Sequence, residues 1–386
     1  MRLLLSGYFG VANYGDDILL RTIYTSLREV LPSAQIGVTI RRPTNYMHLL
    51  LDKSIIEVRR QDEAKKWPLV IYAGGGQFFD YKRRSMRGAI LQLCLRSIGI
   101  KKLLRVFEVL TRARRLPVCH GYSEGTTAGI GLGVGPFIWG SAAEVETAKK
   151  LSSCQFLHVR DAMSLRRIHR WGLSVTSHQL VDLAFAERFW LRGHQSADNN
   201  TPRRGVGIVL GHSGYQGKED WKDGLKTAID LLRLKGLDVE LISFCEEEDE
   251  TAVAAIASGE NVLRYNPSRT TLEEFTDRLS CYQVLVSGRA HGVIVAALRG
   301  IPCISIVKEE KLDWASRIAG GLCSRWRAPF DARQLVSMVY KALHTNDECK
   351  LNGLHGVYTM TMMAQCVLRE FQDWIVAFSE QCGREA

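Results

Sequence analysis

The stretch Ser287-Gly288-Arg289-Ala290-His291-Gly292 decides the fold because of what flanks it. Before it, Tyr282-Gln283-Val284-Leu285-Val286 reads as a buried central strand. After it, residues 293–298 read as a short apolar helix that ends at Gly300-Ile301-Pro302, and residues 302–307 as the next strand. A strand, turn, helix, strand unit is the building block of a parallel sheet wrapped by helices. The first N–H groups of such a helix lack intrahelical partners and lie at the positive end of its dipole, so phosphate or carboxylate is favoured there. Arg289 adds a planar fork that grips either group at two points, and His291 adds a group that moves protons near neutral pH. The same residues would also serve on an ordinary solvated turn.

Working outward, the same alternation recurs on both sides. Residues 3–6, 35–40, 54–58, 69–72, 117–120, 156–159 and 179–181 read as strands, most of them separated by helical patterns. A polar stretch without apolar period, Arg192 to Arg204, then breaks the pattern, and strands resume at 205–210, 238–243, 262–265, 284–287 and 302–307. The expected organisation is two Rossmann-like, doubly wound α/β domains: residues 1–191, a linker over 192–205, residues 206–345, and a helical segment over 346–386 that packs back on the first domain. The N-terminus runs from Met1 straight into a strand and a glycine loop without a cleavage site, which reads as a cytoplasmic protein. Ten cysteines are scattered with no C-x-x-C pair, which points to neither a zinc site nor a disulfide framework.

The net charge of +10 is concentrated. Between Tyr81 and Arg115 stand eleven Lys or Arg against one acid, Glu108, so the rest of the chain, with 40 of each sign, is neutral. Apolar residues such as Ile90, Leu91, Leu95, Leu103, Val106 and Phe107 interleave with these charges. The segment 81–115 therefore reads as a basic amphipathic helix suited either to an anionic membrane surface or to packing with a solvated basic face. Nucleic acid fits less well, since no aromatic interleaving or nucleic-acid motif accompanies the charge.

Several loops fall at strand ends, where open α/β sheets bind ligands. Gly7-Tyr8-Phe9-Gly10 and Asn13-Tyr14-Gly15-Asp16-Asp17 follow the first strand. Its glycines allow close backbone approach, and its paired acids suit hydroxyl groups better than phosphate, although a helix cap accounts for them equally well. Gly74-Gly75-Gly76 with Asp80, and Gly131 to Pro136, are further strand-end loops, and Gly211-His212-Ser213-Gly214-Tyr215 faces them from the second half. The spacing around Gly15 does not match a dinucleotide fingerprint.

Together these motifs resemble the polysaccharide pyruvyl transferase family. The resemblance rests on the two loops at 7–17, on Gly74-Gly75-Gly76 with Asp80, on Gly133-Val134-Gly135-Pro136, on Val159-Arg160-Asp161, on Asp182-Leu183-Ala184-Phe185, and on Arg289-Ala290-His291 with Gly300-Ile301-Pro302. Lys311 stands where the family usually has a lysine, whereas Ala290 replaces its usual leucine and the segment 119–131 is longer and richer in glycine. The resemblance implies two domains facing a cleft in the manner of GT-B glycosyltransferases. It also implies transfer of a pyruvyl group from phosphoenolpyruvate to two hydroxyls of a sugar, forming a cyclic ketal and phosphate. On that reading Arg289, Lys311, Ser287 and Gly288 hold the donor, and Asn13, Tyr14, Asp16, Gly75, Gly76 and Asp80 meet the acceptor. His291 and Asp17 are then the proton-transfer pair, with His291 acting as acid or as base. Phosphoenolpyruvate serves as co-substrate, and no cofactor or metal is called for. The acceptor is a saccharide in exopolysaccharide or cell-wall polysaccharide synthesis, and it becomes a lipid-linked one if segment 81–115 docks on the inner face of a membrane.

Two other readings use the same features. A GT-B glycosyltransferase would place a nucleotide sugar's diphosphate at Arg289, and a non-catalytic scaffold of a polysaccharide assembly complex would be built around the basic segment. Reversing charge at Arg83, Arg84, Lys101 and Lys102 is expected to abolish co-sedimentation with anionic vesicles. Unchanged sedimentation would remove the membrane from the account.

Overall fold

The computed structural model describes residues 1–42, 45–58, 67–80, 125–191, 203–211, 221–257, 259–344 and 347–384. The basic segment 81–115, the expected strand 117–120, most of the expected linker and the loop from His212 lie outside the described residues. The strands are β1 (Arg2–Ser6), β2 (Gln35–Thr39), β3 (Ile56–Val58), β4 (Leu69–Phe78), β5 (Thr126–Val134) and β6 (Cys154–Val159) in the first half. Those of the second half are β7 (Val206–Val209), β8 (Val239–Ser243), β9 (Val262–Arg264), β10 (Val284–Ser287), β11 (Cys303–Ile306) and β12 (Cys323–Trp326). They form two parallel six-stranded sheets, ordered β3-β2-β1-β4-β5-β6 and β12-β11-β10-β7-β8-β9, so both halves are doubly wound. Runs such as Leu3-Leu4-Leu5 and Val284-Leu285-Val286 are buried on both faces, as helices on either side of a parallel sheet require.

Four elements depart from the sequence expectation. β5 occupies residues read in part as a glycine loop. Its glycines serve close packing inside a central strand: a Cβ on Gly131 would lie 2.8 Å from Leu183, and one on Gly133 would lie 2.9 Å from the Arg160 guanidinium. β4 continues through the triple glycine to Phe78. Residues 179–181 form no strand and lead instead into the single turn Leu183–Phe185, capped by Asp182. β12 at the sheet edge has only Trp326 buried, so its sequence lacks the apolar run that marks the central strands.

The C-terminal helix Asp347–Arg384 ties the halves together. Phe371 stands ring to ring with Phe156 at 5.2 Å, and Gln372 donates to the Ser26 carbonyl at 2.8 Å, both in the first half. Gly353 meets Leu322 of the second half so closely that a Cβ would come within 2.3 Å of it. No helix among the described residues is long and apolar enough to cross a membrane.

Candidate active site

Each sheet reverses chain order at one place, between β1 and β4 in the first and between β7 and β10 in the second. Crevices at the carboxyl ends of such strand pairs are where ligands bind in this architecture. Both are floored by backbone: a Cβ on Gly7 would lie 2.9 Å from the Ala73 carbonyl, and one on Gly211 would lie 2.2 Å from the Gly288 carbonyl.

The first wall is the helix Tyr14–Val30, which begins earlier than the paired acids suggested. Asn13, rather than either aspartate, is its N-cap, and its Oδ1 accepts from Gly15 N at 3.1 Å. Asp16 and Asp17 are therefore successive residues inside the first turn and point about 100° apart. Asp17 faces inward, 1% exposed, and accepts from the hydroxyls of Tyr265 at 3.1 Å and Tyr46 at 3.4 Å. Burial pushes its carboxyl well up. It is out of reach of a sugar, so the expectation that Asp17 takes the acceptor proton is corrected. Tyr14 is also a correction: its hydroxyl pairs with Thr276 at 2.6 Å and its ring packs on Phe244, Tyr265 and Phe275.

Asp16 is the carboxylate turned to the cleft. A Cβ on Gly75, at φ +70°, would come within 2.9 Å of its Oδ1, so that glycine gives it room. Burial raises the Asp16 carboxyl to about 6, with nearby His291 pulling it down and Glu248 pushing it further up. Gly76 borders open space, and Asp80 lies just past β4, its amide donating to the Pro136 carbonyl at 2.9 Å.

The second wall is the turn before the helix Ala290–Leu298. Ser287 and Gly288, expected to touch the donor, hold the turn instead. The Ser287 hydroxyl donates to the Arg289 carbonyl at 2.7 Å and accepts from its amide at 3.2 Å, while Gly288 N donates to Val209 O at 2.8 Å. Arg289 spreads its guanidinium between two acids, with Nη1 donating to Glu248 Oε2 at 2.6 Å and Nε to Asp249 Oδ1 at 3.2 Å. Although burial opposes its charge, Asp249 and Glu248 hold the guanidinium firmly protonated. Asp249 is fixed in turn by Ser243 Oγ and the amides of Phe244 and Cys245 at 3.0–3.2 Å. Asn13 reaches across from the first half to Glu248 at 3.5 Å.

His291 meets the first half directly. A Cβ on Gly15 would stand 2.0 Å from its Nδ1, so the imidazole lies flat on bare backbone. Its Nε2 is 3.7 Å from Asp182 Oδ1, too long for a hydrogen bond but close enough for charge to matter. Asp182 also accepts from Arg160 Nη1 and Ala184 N, both at 3.0 Å. Burial alone would raise its carboxyl, but His291 and Arg160 hold it well below the usual carboxylate range. Lys311 pairs with Glu309 at 3.2 Å and contributes to the field at Asp16.

The cleft thus gathers Asn13, Asp16 and Gly75 from one side and Arg289, His291 and Lys311 from the other. Sequence reading gave no site role to Asp182, Glu248, Asp249 or Lys308, and left Arg160 open between a structural ion pair or cap and a ligand contact. The acid run Glu246-Glu247-Glu248-Asp249-Glu250 was a usable signal, because four acids in the first turn of a helix exceed what a cap needs.

Comparison with solved structures places this architecture. A putative UDP-N-acetylglucosamine 2-epimerase from Listeria monocytogenes superposes with TM-score 0.56 at 10% identity, covering 97% of each chain. S. aureus MnaA, solved with UDP, gives 0.57 at 7% identity with the same coverage. A glycosyltransferase from Rickettsia africae gives 0.50 at 9%, covering 96% of this chain and 97% of its own. At such identities the likeness is one of fold, and the class is a GT-B-like two-domain α/β protein. No curated protein matches the sequence. The model of the polysaccharide pyruvyl transferase family matches residues 13–307, which contain Asn13, Asp16, Asp182, Glu248, Asp249, Arg289 and His291, while Lys308, Glu309 and Lys311 lie just beyond the match. The chain belongs to the polysaccharide pyruvyl transferase family.

Gly15→Ala is expected to cost about 1–3 kcal/mol through overpacking and to shift the His291 imidazole resonances in NMR. Unmoved resonances would show that the ring does not rest on Gly15. Asp16 supplies a pH test. Its folded pKa, about 6, lies above the ordinary 3.8, so the native state binds this proton more tightly than the unfolded chain. The resulting penalty is absent at low pH, grows as pH rises past the unfolded value and is complete above about 6. Asp16→Asn should therefore stabilise the protein against denaturant by about 2 kcal/mol near neutrality, with the gain fading towards about pH 4. A gain independent of pH would contradict this.

Proposed function

We propose that the protein transfers a pyruvyl group from phosphoenolpyruvate to two hydroxyls of a saccharide, making a cyclic ketal in exopolysaccharide or cell-wall polysaccharide synthesis. The supporting observation is the opposition of Asp16 and His291 across a cleft lined by Arg289 and Lys311, in a chain of this family. The donor carries a carboxylate and a phosphate, which suit the cationic wall. Asp16, with its carboxyl near 6, is an effective proton acceptor at neutral pH and stands on the side assigned to the sugar.

In the first step His291 gives its proton to C3 of the enol ester, C2 gains cationic character, and one sugar hydroxyl forms a C–O bond there while its proton passes to Asp16. Asp182, ionised beside Nε2, supplies the counter-charge for the proton that His291 carries. In the second step the C2–O bond to phosphate breaks and the phosphate leaves with its electron pair. The second hydroxyl then attacks C2 and gives its proton to His291, which the first step left neutral, closing the ketal, while the proton held by Asp16 passes to the departing phosphate. Basic segment 81–115 would hold the protein at an anionic membrane surface, where a lipid-linked acceptor is presented.

Calorimetric titration with phosphoenolpyruvate, beside a panel of nucleotide sugars, tests the donor. Saturable phosphoenolpyruvate binding is expected, with a loss of at least about tenfold in affinity in Arg289→Ala. In turnover, Asp16→Asn should lower phosphate release by about 10²- to 10⁴-fold. Binding of a nucleotide sugar, with none of phosphoenolpyruvate, would mean that family membership reports fold alone.

A further inference from the structure

Two residues past the end of β11, Lys308 extends into the crevice between β7 and β10. Its Nζ stands 2.7 Å from where a Cβ on Gly211 would be, beside the Gly288 carbonyl at the mouth of the turn that leads into Arg289. The same Nζ lies 4.2 Å over the Trp221 ring, which walls its apolar side. Sequence motifs direct attention to Lys311, but Lys308 is the lysine at the point where the second sheet reverses its chain order.

We propose that Lys308 seats the phosphate group of the donor in this crevice, and that the phosphate released by the reaction leaves from the same seat. The inference rests on the pyruvyl-transfer reading for the identity of the donor. An ammonium is a compact point charge with three donors, matched to a tetrahedral phosphate, whereas the planar fork of Arg289 is matched to a carboxylate. Neighbouring backbone helps: Gly211 and Gly288 present no side chains, and the first amides of the helix Ala290–Leu298 begin next to them.

Burial also makes the charge on Lys308 responsive to an incoming anion. Burial pulls the ammonium down to about 7, with Glu309 and Asp249 opposing that pull and Arg289 and Lys311 adding to it. A phosphate dianion entering this field restores the charged lysine, so at mildly alkaline pH its binding draws a proton from solution.

Calorimetry at about pH 8, in two buffers of different ionisation enthalpy, reads that proton directly. Wild type is titrated with inorganic phosphate and with phosphoenolpyruvate, then compared with Lys308→Met and Lys308→Arg. Uptake approaching one proton per phosphate is expected in wild type. Lys308→Met should lose both the uptake and about tenfold or more in affinity, and Lys308→Arg, charged at every pH, should bind phosphate without uptake. Equal affinities in wild type and Lys308→Met, or uptake that persists in Lys308→Arg, would overturn the assignment even if phosphoenolpyruvate binds. Lys308-dependent binding of inorganic phosphate without any binding of phosphoenolpyruvate would keep the seat and reject the donor. Absence of binding by either anion would reject both.

Discussion

The cleft depends on one buried side chain, Tyr14. It grows from the first turn of a first-domain helix, yet its ring is enclosed by three aromatic rings of the second half, Phe244, Tyr265 and Phe275, at centroid distances of 4.7–5.2 Å in edge-to-face geometry. Its amide donates to the Phe244 carbonyl at 2.9 Å, so backbone as well as side chain crosses the seam. Pinning residue 14 determines its neighbours. Gly15 is pressed on His291, Asp16 is left on the open side, and Asp17 is turned under Tyr265 and Tyr46. The opposition of Asp16 and His291 is thus a consequence of packing several ångströms away from either group.

Electrostatics at the seam are arranged in layers. Arg160 and Asp182 form a buried pair at 3.0 Å, and Asp182 is also the charge nearest to His291 Nε2. Arg289 is held by Asp249, which three further donors immobilise. Buried pairs of this kind add little net stability, because desolvation consumes most of their attraction, but they fix geometry. The charges that burial most penalises here are Asp16, whose carboxyl it raises to about 6, and Lys308, whose ammonium it lowers to about 7. A protein that keeps one costly acid and one costly base facing the same cleft sacrifices stability where function requires reactivity.

Much of this was legible in the chain. Apolar runs at 3–6, 69–72, 206–209 and 284–287 announce buried parallel strands, and the turn 287–292 announces the junction between a central strand and the helix that follows it. What failed did so for physical reasons. In β5 the signature of a strand is masked, because neighbours such as Leu183 and Arg160 take the space of side chains, and glycines normally read as a loop. Choosing between Asp16 and Asp17 required knowing that the helix starts at Tyr14, since a shift of one residue turns a side chain by about 100°. Tyr14 read as an acceptor contact because an aromatic residue in a glycine loop carries no mark of which domain will enclose it. Asp182 and Lys308 acquire their roles through contacts with residues roughly a hundred positions away, which no local pattern encodes.

Glu248 gives the cationic wall its character. Its carboxylate lies 2.6 Å from Arg289 Nη1 and within 3.5 Å of the Asn13 amide, so the edge of the guanidinium not claimed by Asp249 already holds an anion. Under the proposed function a donor carboxylate would take that edge only as Glu248 left it, with Asp249 keeping the guanidinium in place. Donor affinity is then the difference between two carboxylates on one arginine rather than the full worth of a charge-assisted hydrogen bond. Such an exchange keeps Arg289 from collapsing onto other groups when the cleft is empty, and it keeps binding weak enough for turnover. Glu248 also touches Asn13 of the opposite wall, so under the proposed function its displacement would loosen a contact between the two halves. One carboxylate thus joins the guanidinium of one wall to the amide of the other.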